Sequence, residues 1–195
     1  MNMQLPSRSL VVLACLIATS PNACVGQSEE GIHGHVFRSK AVGLTYTFPE
    51  KFSPKIESEM PAQWHDPSGR ERLILALWVA SDRTAVPRMS FLYDNKIRPA
   101  GRSRQQMAYA YLAEVNQMWA NVRGVRISGP KEISPAGYAI WRLDLWQPDN
   151  SPHYNSVIVI PLADRRILAI QVNAPSQTEL DSEVDSLRGL HFDGD

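Results

Sequence analysis

The 195-residue chain has two cysteines, Cys15 and Cys24, and none after position 24. Everything beyond that point is closed to disulfides, thiolate nucleophiles and thiolate metal sites. Charge of one sign is equally scarce: 20 Lys and Arg offset 20 Asp and Glu. Nucleic-acid binding by phosphate neutralisation draws on a basic surplus, so no nucleic-acid partner is expected. The apolar run Leu10–Ile17 falls far short of the roughly 20 residues that cross a bilayer. The chain has no P-loop, no GxGxxG, no HExxH and no GxSxG elbow. Each would place a phosphate cradle, a dinucleotide, a zinc or an activated serine at a defined turn or helix. Internal repeats and low-complexity stretches are also missing.

What is present reads as one exported domain. A hydrophobic fraction of 44% and a charged fraction of 21% are ordinary for a folded chain of this length. Residues 1–26 have the form of a signal peptide: Arg8 in a short polar start, the apolar run, Pro21, then small residues. Cleavage after Gly26 leaves a cysteine-free mature chain, periplasmic or secreted. The alternative is a lipoprotein, because "VLAC" and "PNAC" each end in a cysteine preceded by alanine. Membrane attachment is expected only if Cys15 or Cys24 carries lipid. Residues 27–35, polar and small, read as a flexible tether, 36–192 as the folded domain and 193–195 as a tail.

Within the domain, strand patterns come early and late, with a long helix between. Val36–Arg38 and Leu44–Phe48 form a first pair. "LILALWVA", Leu73–Ala80, is a continuous apolar run suited to a strand covered on both faces, and Met89–Tyr93 pairs with it. Ser103 with Gln106 makes a capping box, and Met107, Tyr111, Val115, Met118 and Val122 recur at helical spacing. Four strands follow: Val125–Ile133, Ala139–Trp146, Ser156–Ile160 and Ile167–Val172, the last two as a hairpin turning near Ala163–Arg165. Ser176 and Glu179 cap a second helix that buries Leu180, Val184 and Leu187. An extended end, "GLHFDGD", closes the chain. Short connections favour antiparallel pairing. The expected fold class is α+β, an α/β/α sandwich with a mostly antiparallel central sheet and helices on both faces; two layers with both helices on one side is the alternative.

This order resembles the PsbP-like fold family. The resemblance rests on "GLTYTFPEKF" (Gly43–Phe52), the middle helix, the hairpin ending "AIQVNAP" and the last helix ending "SLRGLHF". Gly43, Tyr46, Phe48, Pro49 and Phe52 fit the family's early strand and turn; Lys51 stands where a glycine is usual. The resemblance, over Val36 to Phe192, implies a small accessory or binding domain. It brings no catalytic residues, and it implies association with a larger assembly without enzymatic activity.

Candidate sites are few. Lys96, Arg98, Arg102 and Arg104 are four cations without an acid among them, running into the helix start at Ser103. A helix N-terminus carries partial positive charge, so this stretch is read as a possible anion or partner patch. Trp146 lies on the opposite side of its strand from Trp141 and is a possible partner anchor. His33 and His35 could form half of a metal site, but the sequence supplies no third ligand. His65–Asp66, His153, and His191 near Asp193 lack an activated serine to work on. Glu57 and Glu59 flank a strand end, and Glu179, Asp181, Glu183 and Asp185 read as a solvated helix face. No catalytic residue, metal or cofactor is expected. The functional expectation is an exported non-enzymatic accessory or protein-binding domain whose partner is an envelope or exported protein. A small-ligand or anion-binding carrier is the alternative, and a hydrolase the second alternative.

Overall fold

The computed structural model describes residues 30–79, 81, 86–134, 137–148 and 153–193. The expected signal peptide, the lipid-box cysteines and positions 27–29 of the expected tether lie outside them. Among the described residues, eleven strands form two antiparallel sheets. The smaller contains β1 (Gly31–His33), β2 (Val36–Ser39), β3 (Leu44–Thr47) and β11 (Leu190–Phe192), in the order β1-β2-β3-β11. The larger contains β4 (Phe52–Ile56), β5 (Glu71–Val79), β6 (Met89–Asp94), β7 (Arg126–Ile133), β8 (Ile140–Trp146), β9 (Tyr154–Pro161) and β10 (Ile167–Ala174). Its order is β4-β5-β6-β10-β9-β8-β7. The helices are α1 (Arg104–Ala120) and α2 (Gln177–Asp185).

Two expectations are corrected. Residues 31–33 are not tether but strand: β1 folds back on β2 through a tight turn at Gly34, pairing His33 with Val36. The early strands do not join a single central sheet. Pro49 follows β3 and offers no N–H to a ladder, and the chain re-enters at Phe52 as β4 in the other sheet. Leu44, Tyr46 and Phe48 are buried, as the alternation of "GLTYTFPEKF" predicts. Their side chains share one hydrophobic cluster with Phe91, Ile158 and Ile170 of the large sheet, and the Tyr46 and Phe91 rings lie 5.1 Å apart. The two sheets therefore share a core.

Topology puts α1 where it matters. After β6, in mid-sheet, the chain runs through α1 to the far edge at β7. It then returns by β8 and β9, so that β10 pairs with β6. α1 packs on β7, β8 and β9. It buries Met107, Ala108, Tyr111, Leu112 and Val115, each large side chain contributing about 1.5–3 kcal/mol. The capping box is in place: Gln106 N–H donates to Ser103 Oγ at 3.1 Å, and Ser103 N–H donates to Gln106 Oε1 at 2.9 Å. Met118 and Val122, expected on the same buried stripe, are instead 64% and 41% exposed. Ala169, Val157 and Val159 join the cluster of α1, whereas Ile158, Ile160 and Ile170 join the cluster of α2 and the small sheet.

Candidate binding groove

The basic stretch of the sequence does not survive as one patch. Arg98, 4% exposed, turns inward: its Nη2 donates to Asp94 Oδ2 at 2.8 Å and its guanidinium lies 5.8 Å from the Tyr111 ring. Lys96 reaches Glu114 at 3.3 Å. Arg102 is exposed, and Arg104 lines a separate cleft of about 250 Å³ with Tyr138, Asp164, Phe192 and Asp193. Asp94 stands just before the stretch, at the end of β6, whereas Glu114 is brought in from α1 by packing.

Trp146 is half-buried beneath the Arg126 guanidinium, 4.6 Å from its ring, and is not a free-standing anchor. The acids of α2 divide: Glu179, Asp181 and Asp185 are exposed, as expected of a solvated face, and Glu183 is not. Glu183 is 2% exposed and accepts from Lys51 at 2.9 Å; Glu179 accepts from Arg88 at 2.9 Å and Asp181 from Arg142 at 2.7 Å. Those cations lie on β8, just before β6 and in the turn after β3, invisible to a reading of the helix alone. Among the histidines, His35 packs edge-on against Phe48, with ring centroids 5.7 Å apart, on the far side of the Gly34 turn from His33. His65 Nε2 contacts the Glu57 carbonyl at 3.3 Å. Asp66 accepts from the Ser68 hydroxyl and from the Ser68 and Glu71 N–H groups, which together hold its carboxyl at about 2. That is a turn-forming role. His153 contacts the Gln147 carbonyl at the β8–β9 turn. No cluster of three or more His, Cys, Asp or Glu suited to a metal occurs among the described residues.

The concave feature with a built interior is a groove of about 360 Å³ between α1 and the large sheet, within the size range of ligand pockets. Leu92, Val157 and Ala169 belong to the strands beneath, and Val115, Met118 and Trp119 to α1. Polar groups gather at one end. Asp94, fully buried, accepts from Arg98, from Arg70 at 3.2 Å and from the Lys96 N–H at 2.8 Å. Burial alone would raise its carboxyl; those bonds outweigh burial and hold it below the usual carboxylate range. Arg70 also binds Glu114 at 2.6 Å and, with Lys96, lowers that carboxyl. Tyr111 donates to Glu71 Oε1 at 2.9 Å. Burial first, and then the Glu71 charge, push its phenol far above the ordinary range, so Tyr111 stays a neutral donor. Sequence reasoning placed Tyr111 on the apolar stripe and passed over Arg70, Glu71, Glu114 and Gln171. The one local hint is the charged run "RER", Arg70–Arg72, which opens an otherwise apolar strand.

No family model matches the sequence, and no curated protein matches it. Solved structures do. The chain is similar to cyanobacterial PsbP (CyanoP) from Synechocystis sp. PCC 6803, with a TM-score of 0.52 and 10% identity, over 88% of this chain and 98% of that one. A Mog1 point mutant aligns at a TM-score of 0.45 and 9% identity, over 83% of this chain and 96% of that one. At such identities the likeness speaks to architecture alone: this chain has a PsbP-like fold.

Proposed function

We propose that this chain is an exported, non-enzymatic accessory domain that binds a protein partner through the α1 groove and the apolar end of α1 beside it. The observation that carries the reading is continuity. Met118 and Trp119 line the groove, Met118 is 64% exposed, and Val122, just past the helix end at Ala120, is 41% exposed. Adjoining exposed apolar side chains at a concavity are the usual form of an interaction surface. The ion pairs that hold Asp94 and Glu114 at the groove's polar end argue for recognition over bond-making chemistry. In this reading the two helices cover opposite faces of the large sheet, in an α/β/α arrangement. Support comes from β9, where Val157 and Val159 pack with α1 while Ile158 and Ile160 pack in the cluster of α2. Export rests on the form of residues 1–26, with lipid attachment at Cys15 or Cys24 as its variant.

Site-directed photocrosslinking in the envelope fraction tests the proposal. A benzophenone side chain at position 118 is expected to capture one defined protein. The same group at position 188, where Arg188 is exposed away from the groove, is expected to capture none. Equal capture from both positions, or none from 118, would overturn the proposal.

A further inference from the structure

Glu71 differs from the other acids around the groove. Glu114 has Arg70 and Lys96, and Asp94 has Arg98 and Arg70. Glu71 is half-buried in the groove lining, and its side chain has a single bond among the described residues, from the neutral Tyr111 hydroxyl to Oε1. Arg70, adjacent in sequence, spends its guanidinium on Asp94 and Glu114. The groove thus holds a carboxylate with no cation of its own among the described residues, beside apolar walls. A half-buried carboxylate is favoured by an opposite charge, and a charge-assisted bond there is stronger than at an open surface. Two aromatic rings, Tyr111 and Trp119, line the same space, and aromatic faces attract cations. Leu92, Val115, Val157 and Ala169 offer surface for an aliphatic stem. The Gln171 side chain, also lining the groove, makes no hydrogen bond to the described residues and presents an amide to an occupant.

We infer that the α1 groove receives the basic side chain of a protein partner, its aliphatic stem on the groove walls and its primary ammonium on Glu71. The assignment commits to a lysine-type cation: a compact ammonium offers three donors and can bond Glu71 and Gln171 together. It rests on the reading of this groove as the binding surface and names what that surface recognises.

The experiment is a methyl-resolved NMR titration of the full mature chain, following Met118, Leu92 and Val115. The probes are N-acetyl-lysine-N-methylamide, its neutral counterpart N-acetyl-norleucine-N-methylamide, and tetraethylammonium. The lysine probe is expected to shift all three residues saturably and to bind more tightly than the other two. Glu71→Gln keeps an acceptor for Tyr111 and is expected to weaken the lysine probe about tenfold while leaving norleucine unchanged. Ala169→Leu, which adds volume to the groove floor, is expected to abolish binding of every probe; it lowers the melting temperature by overpacking, so native amide chemical-shift dispersion is the folding control. Norleucine binding as well as lysine, or indifference to Glu71→Gln, would overturn the cation assignment and leave the groove reading standing. Preference for tetraethylammonium would overturn the lysine-type commitment. No shift from any probe would overturn the groove as a binding surface, and the inference with it.

Discussion

Asp94 is buried, and each of its three polar partners is a guanidinium or a backbone N–H: Arg98, Arg70 and Lys96. Replacing it with asparagine leaves Arg98 buried beside a neutral amide. Removing one partner of a buried pair costs about 3–5 kcal/mol, and Asp94→Asn is expected to lose stability on that scale in urea unfolding. The pH dependence follows from the direction of its shift. The folded-state carboxyl lies below its ordinary value of 3.8. Its contribution is therefore complete above that value and lost as pH falls through the lower, folded one. The wild-type chain is expected to lose stability on acidification below about pH 4. Asp94→Asn should show a shallower fall over the same window, with the remaining slope from Asp66, Glu114 and Asp181, whose carboxyls are also depressed. A fall as steep as wild type in the asparagine variant would assign the acid limb to other groups.

At the scale of elements, α1 is the clearest case of what could and could not be read from the sequence. Its start is a local matter. Ser103 and Gln106 are three residues apart and satisfy each other's backbone groups whatever surrounds them, so the cap was legible. Ser103→Ala is expected to cost about 1 kcal/mol. The buried side was legible as far as Val115, because a stripe at three and four has to face something. Where the stripe leaves the sheet depends on how far the strands beneath extend, which no spacing in the helix encodes. Met118 and Val122 consequently carry the same periodic signal as Met107 while lying in solvent. The reading of the α2 acids missed the burial of Glu183 and the cations that three of them meet for a related reason. Their partners Lys51, Arg88 and Arg142 sit far away in sequence, and only packing brings them under the helix. Met118→Lys separates the two kinds of position on α1. It should change stability by no more than about 0.5 kcal/mol, as for surface sites away from special features. It should also abolish capture of the partner by a benzophenone placed at position 122 instead. A loss of several kcal/mol would mean that Met118 is core.

At the scale of the whole molecule, the small sheet depends on a pairing between distant parts of the chain. β11 adds to β3 with Leu190 opposite Tyr46, and Asp193 N–H donates to the Gly43 carbonyl at 2.8 Å. The approach is close enough that a Cβ at Gly189 would lie 2.1 Å from the Thr47 carbonyl oxygen. That contact explains why the turn into β11 carries glycine there. The sequence offered this end only as extended chain, since three residues carry too little period to announce a strand. Deleting residues 190–195 removes Leu190, buried to 1% exposure, and the Phe192 ring that packs edge-on to Tyr138 at 5.4 Å. Leu190 alone contributes about 1.5–3 kcal/mol, against a typical total of about 5–15 kcal/mol. The deletion also turns β3 into an unpaired edge. The consequence should not stop at the small sheet, because Phe37, Leu44 and Tyr46 share one cluster with Phe91, Ile158 and Ile170 of the large one. Two sheets joined through a single core gain their burial together, and such a unit unfolds in one step. The truncated chain is therefore expected to melt in a single transition lowered by about 10 °C. Amide exchange should accelerate in β5, β6, β9 and β10 as well as in β2 and β3. Selective loss of protection in β1–β3, with the large sheet unchanged, would show that the small sheet is an appendage and that the shared cluster does not couple them.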